Sequence, residues 1–150
     1  MPLGTAEADC GFPTEVTLYG GQVIEIGTVT IWNDETFLYV TYSTTGGWGL
    51  TETHLSVATS LDDIPQTKSG NPIPGKFQYK TEYDPAITEF TYVIDSGAWD
   101  DGIELSIAAH AVVESDGYET AWGDGLDFPG RNWATYFTYI VQPCNGGGAE

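Results

Sequence analysis

A chain of 150 residues, 41% hydrophobic and 13% aromatic, is long enough to bury a sizeable core and too apolar to remain disordered. Its 22 Asp and Glu against 4 Lys and Arg give a net charge of −18, which leaves no basic footprint for nucleic acid or for an anionic membrane surface. No run approaches the roughly 20 apolar residues of a membrane span, and MPLGTAEADC has neither the basic nor the apolar region of a signal peptide. The expectation is one domain over 1–150 with no membrane insertion, secreted or displayed at the cell surface after removal of a leader.

Residues 1–13 read as an extended arm and 145–150 as a Gly-rich tail. Between them, period-2 patterns rich in Thr, Tyr, Val and Ile are punctuated by Gly, Asn, Asp and Pro, the signature of antiparallel β structure. Strands are predicted at Glu15–Tyr19, Gln22–Trp32, Thr36–Thr45, Leu50–Thr59, Lys76–Glu82, Thr88–Ile94, Gly102–Val113 and Ala134–Gln142. Asn33-Asp34-Glu35 and Gly46-Gly47 are tight turns, and Gly27 inside a strand marks a bulge or bend. Ser60–Ile64 can make one helical turn capped by Ser60, which Pro65 ends. About eight strands with no repeat predict an all-β, antiparallel sandwich or jelly roll. Alternation places Leu105, Ile107, Ala109, Ala111 and Val113 on a core face and His110 on the opposite one. The last strand is apolar on both faces, through Tyr136 and Ile140 and through Phe137, Tyr139 and Val141, and is expected to be covered on both.

The stretch 114–133, ESDGYETAWGDGLDFPGRNW, is too long for a hairpin turn and is read as one long ordered loop. Trp122, Phe128 and Trp133 carry too much apolar area to be left in water. Its acids include Asp116, Glu119, Asp124 and Asp127, interleaved with glycines that let carbonyls turn inward, and Asp124-Gly125-Leu126-Asp127 is compatible with a loop calcium site. The alternating Asp/Asn pattern of an EF-hand is absent, and paired acids at turns are usually just solvated.

Two histidines, His54 in TETHL and His110 in AAHAVV, fall mid-strand on the non-core face. If their strands pair, they make with Glu119 a His/His/carboxylate set for zinc or copper; the plainer reading is that they hydrogen-bond beneath the loop and fix it. Trp48, Trp122 and Trp133, with Arg131, suit a glycan-binding groove, since flat rings fit the apolar faces of sugars and polar groups fit their hydroxyls. No GxSxG, HExxH or phosphate-binding loop is present, and no catalytic residue is assigned. Cys10 and Cys144 stand near opposite ends, where domain termini often meet, and are expected to form a disulfide.

The segments TTGGWGLTETHL, IAAHAVV, ETAWGDG and FPGRNWATYFTY resemble those of a family of secreted bacterial and archaeal β-domains, over the stretch from Val16 to Val141. The resemblance implies an extracytoplasmic setting and carries no activity or site with it. The expected function is a non-enzymatic, calcium-stabilised module that self-associates in an extracellular assembly such as a filament, matrix or surface layer. The alternatives are a carbohydrate-binding module and a metal-dependent enzyme built on His54 and His110.

Overall fold

The computed structural model describes residues 10–97 and 99–144. The chain is all-β and antiparallel. Its strands are β1 (Thr14–Gly20), β2 (Ile24–Asn33), β3 (Phe37–Thr44), β4 (Gly49–Ala58), β5 (Tyr79–Ile87), β6 (Glu89–Asp95), β7 (Glu104–Glu114), β8 (Tyr118–Gly123), β9 (Leu126–Asp127) and β10 (Thr135–Ile140). The eight predicted strands are present with ends shifted by a few residues, most at β5, and β8 and β9 are additional. None of the described helices is long and apolar enough to cross a membrane.

One sheet runs β5-β4-β7-β8-β1-β2-β3-β6, and β10 joins it by pairing with the first half of β7. β5 and β6 lie at opposite margins of this order, yet only Thr88 separates them. Ile87 pairs with Leu50 on one side, while the Thr88 carbonyl accepts from the Thr44 amide at 2.9 Å on the other. The stretch 79–95 therefore borders both margins and draws the sheet into a nearly closed barrel. The expected sandwich is corrected to this extent: the layers are two walls of one curved sheet. Such closure consumes sheet edges that would otherwise be exposed.

The barrel is filled from the alternation already seen in the sequence. Leu105, Ile107, Ala109, Ala111 and Val113 of β7 are fully buried, and they meet Leu18, Ile31, Leu38, Val40, Tyr42, Leu55 and Phe137. The small side chains on β7 leave room for the large rings opposite. In β10, Phe137 and Tyr139 enter this core, but Ile140 is 55% exposed, so that face is only partly covered. The bulge expected at Gly27 is real. Leu18 pairs with Gly27 but Tyr19 with Glu25, so Ile26 is the extra residue of β2 and turns inward. A methyl at Gly27 would collide with the Ser43 carbonyl.

Local chemistry fixes the connections. The Asp34 carboxylate accepts from the amides of Thr36 and Phe37 and from the Tyr39 hydroxyl at 2.6–2.8 Å, closing the β2–β3 hairpin. Gly46 and Gly47 both take positive φ in the β3–β4 turn. Ser60 Oγ accepts from the Asp62 amide at the start of the 3-10 turn Leu61–Asp63, as expected. Cys10 and Cys144 are joined by a disulfide across 134 residues, and Asn33 ties down the same end. Its side chain accepts from the Tyr139 hydroxyl at 2.5 Å and the Gln142 amide at 2.8 Å.

The stretch 114–133 is not a loop. Residues 118–123 form β8, which pairs with β7 from His110 to Glu114 and with β1 from Leu18 to Gly20. Only Ser115-Asp116-Gly117 make the β7–β8 turn, and β9 pairs with the start of β10. The expectation that its rings are folded down holds, since Trp122 is 6% and Phe128 3% exposed. They belong to a second, smaller core on the outer wall with Ala58, Ile64, Phe77, Ala108 and Ala134. Ile64 and Phe77 come from the excursion 59–78, which lies over that wall.

Candidate functional site

Two groupings of polar side chains emerge, one under the outer core and one beside it. The first starts from strand register: β4 and β7 are antiparallel neighbours that set His54 directly opposite His110. On the outer wall their Nδ1 atoms are 3.1 Å apart and their ring centroids 5.2 Å apart. The centroid separation exceeds the nitrogen separation by nearly two ring radii, so the nitrogens meet head-on, as in an N–H···N hydrogen bond. Glu52 Oε1 is 3.4 Å from His54 Nε2 and favours a proton there. That leaves His54 Nδ1 as acceptor and His110 Nδ1–H as donor.

His110 is 7% exposed, packed with its ring 4.6 Å from that of Trp122. Burial, and then the neighbouring His54, push its pKa down to about 3. His54 is also lowered, by burial first, against the attraction of Glu52 and Glu82 and with the help of Lys80. Both rings are therefore neutral at neutral pH. Beside them on β4, Ser56 is 1% exposed, and its Oγ has no partner among the described residues.

Glu119 does not complete this pair. It stands opposite Val113, a core position, and its carboxylate lies against Gly21 at the barrel end. It is thus on the other face of the sheet from His110. Among the described residues no three His, Cys, Asp or Glu side chains are gathered as metal ligands. Of the acids proposed for calcium, Asp116 is in the β7–β8 turn, while Asp124 and Asp127 stand together beyond the far end of β8.

The second grouping is a cleft of about 630 Å³ lined by Tyr19, Gln22, Val23, Trp122, Asp124, Asp127, Phe128, Arg131, Asn132, Trp133 and Thr135. It brings together Trp122, Trp133, Arg131, Asp124 and Asp127, five of the residues singled out from the sequence. Trp48 is not among them; it lines a separate hollow with Gly46, Gly47, Ala86 and Glu114. Trp122 belongs to the floor, almost wholly buried, whereas Trp133 is half-buried.

Hydrogen bonds hold the cleft wall. The Asp124 amide donates to the Thr17 carbonyl at 2.8 Å, and Thr135 Oγ1 to the Gly123 carbonyl at 2.6 Å. Asn132 Oδ1 accepts from the Ala134 amide at 3.1 Å, and Asn71 Oδ1 from the Asn132 amide at 3.1 Å. A Cβ at Gly130 would clash with Asn71, so only glycine lets the excursion 59–78 lie this close. Phe128 packs between Trp122 and Tyr136 with ring centroids 6.4 and 5.2 Å away. Sequence reading missed Tyr19 and Gln22, which reach the cleft from the end of β1 and from the β1–β2 turn. The one available signal was Gly20-Gly21 before a Gln that adopts φ 83°.

Chemically, the cleft offers half-buried aromatic surface, two carboxylates, two amides, two hydroxyls and a guanidinium at a concave surface open to water. That set suits a ligand with both apolar faces and many hydroxyls. Comparisons with protein-family models, with curated proteins and with solved structures returned no match.

Proposed function

We propose that the chain is an extracellular, non-enzymatic binding module that takes carbohydrate in the cleft between the β1–β2 turn and residues 124–135. The observation that carries this reading is the convergence of Tyr19 and Trp133 with Asp124, Asp127, Gln22 and Asn132 around one concave surface. Rings stack on the C–H faces of a sugar, and carboxylates and amides take its hydroxyls. The cleft borders the outer core, so its floor is rigid and its geometry pre-formed, which lowers the entropic cost of binding. The disulfide supports the extracellular setting, because such bonds persist in oxidising compartments.

An assembly held by strand exchange fits less well. The sheet nearly closes on itself and leaves little free edge for a donor strand; the arm 2–13 and tail 146–150, the candidate donors, lie mostly outside the described residues. This reading does not require calcium: Asp124 and Asp127 line the cleft together, while Asp116 stands at the other end of β8.

The test is a glycan array followed by titration calorimetry with wild type, Trp133→Ala and Tyr19→Ala, and with Asp116→Asn as a control away from the cleft. Both aromatic variants are expected to lose at least tenfold in affinity, equivalent to about 1.4 kcal/mol, while the control binds as wild type. A wild-type protein that binds no glycan, or a Trp133→Ala variant as tight as wild type, removes the reading.

A further inference from the structure

The distribution of charge narrows the ligand class, an inference that rests on the cleft being a carbohydrate site. The four cationic side chains are Lys68, Lys76, Lys80 and Arg131. The three lysines fall within 60–82, where three acids, Asp62, Asp63 and Glu82, balance them. Arg131 falls within 124–133 beside Asp124 and Asp127. The other 17 acids stand on segments with no cation at all. The two cation-bearing segments are pinned to one another, because the Gly130 amide donates to the Gly70 carbonyl at 3.0 Å and the Asn132 amide to Asn71 Oδ1 at 3.1 Å. One flank of the molecule is thus close to neutral while the remainder is uniformly negative, and the cleft opens beside that flank.

Arg131 lines the cleft, is exposed, and has no ion pair or hydrogen bond among the described residues. In a chain with 22 carboxylates, an arginine left without one offers its full fork of N–H donors to something else. We propose that this something is the carboxylate of an acidic sugar: the cleft binds a uronic-acid-containing glycan, with Arg131 gripping the carboxylate. A planar guanidinium pairs bidentately with a carboxylate, while Trp133 takes the ring face and Asp124 and Asp127 accept from the hydroxyls. The same two aspartates oppose a phosphate monoester more strongly, since it carries close to two negative charges at neutral pH. A neutral sugar leaves the guanidinium unused. Away from the flank the protein repels polyanions, so an acidic chain is confined to this one approach.

The experiment compares affinities for short oligogalacturonates, alginate oligomers and glucuronate-containing oligomers with those for their methyl esters, which keep the ring and lose the charge. Wild type is expected to bind at least one acidic oligomer tenfold or more tighter than its ester. Arg131→Ala should fall to the ester's level, and Arg131→Lys should keep only part of the preference because it supplies a point charge without the fork. Trp133→Ala should weaken acid and ester alike. Equal or tighter binding of esters or neutral glycans, or unchanged affinity in Arg131→Ala, overturns the acidic-sugar assignment and leaves the carbohydrate reading standing. Failure of folded wild type to bind any acidic, esterified or neutral oligomer overturns both. The Arg131 variants are expected to melt as wild type does, since the side chain is exposed and makes no hydrogen bond or ion pair among the described residues.

Discussion

His110 shows how a single residue couples strand register to stability. Its ring is buried, neutral, hydrogen-bonded to His54 and packed on Trp122. In the unfolded chain it titrates near 6.5, and in the fold near 3. A histidine depressed in this way binds more protons when unfolded. Stability is therefore complete above about pH 6.5 and is lost as the pH falls towards 3, with a limiting slope of about 1.4 kcal/mol per pH unit. Urea titrations from pH 7 to pH 4 should show this decline, and His110→Gln should flatten it between pH 6.5 and 4. Parallel curves for the two proteins would mean that His110 is solvated. Replacing His110 by Ala should in addition cost about 2–4 kcal/mol at pH 7, through a cavity beside Trp122 and an orphaned His54 nitrogen.

At the scale of elements, the outer wall depends on how closely the excursion 59–78 approaches 128–134. Gly130→Ala drives a methyl into Asn71, and either the hydrogen bond from the Asn132 amide or the cleft wall must give way. Expected outcomes are a lower melting temperature and weaker glycan binding together; binding lost without any change in melting would point to the cleft wall alone. Trp122→Ala empties the centre of the outer core and should cost about 3–5 kcal/mol in chemical denaturation.

This level also shows what could be read beforehand. The inward face of β7 was legible because five apolar residues alternate without interruption, and the Gly27 bulge because glycine breaks a regular strand. β8 was not legible. YETAWG gives only a short alternation, charged at one end and flanked by glycines, and its pairing with β1 is supplied by tertiary contact. The predicted fifth strand ended too early, since the ladder beside β4 breaks around Pro85, which has no N–H to give. At the cleft, Trp133, Arg131 and the two aspartates stood out by residue type. Tyr19 and Gln22 did not, because nothing local says that the end of β1 lies beside β8. The histidines' meeting required the register of two strands far apart in sequence, which alternation alone does not fix.

For the molecule as a whole, charge and covalent closure oppose one another. A net charge of −18 repels itself more strongly in the compact state than in the expanded one. Raising sodium chloride from about 10 mM to about 300 mM shortens the screening length several-fold and should raise the melting temperature. A midpoint that stays constant or falls over that range would show that the acids are already neutralised. The disulfide acts in the opposite direction by limiting the unfolded chain. For a closed loop of 134 residues the chain-entropy contribution is about 5 kcal/mol, so a Cys10→Ser, Cys144→Ser protein should lose stability of that order, measured against the oxidised form.

The Cys10–Cys144 bond has a mechanical consequence as well. Chain leading in and chain leading out are riveted at one point, so a pull transmitted along a polymer of such units would pass from Cys10 to Cys144 through sulfur. The barrel would hang beside the line of force as a bead on a thread, and its ladder of hydrogen bonds and its cleft would keep their shape under tension. Pulling a single molecule by handles placed outside Cys10 and Cys144 should release none of the chain between them until a reductant is added and the whole length between the cysteines is freed.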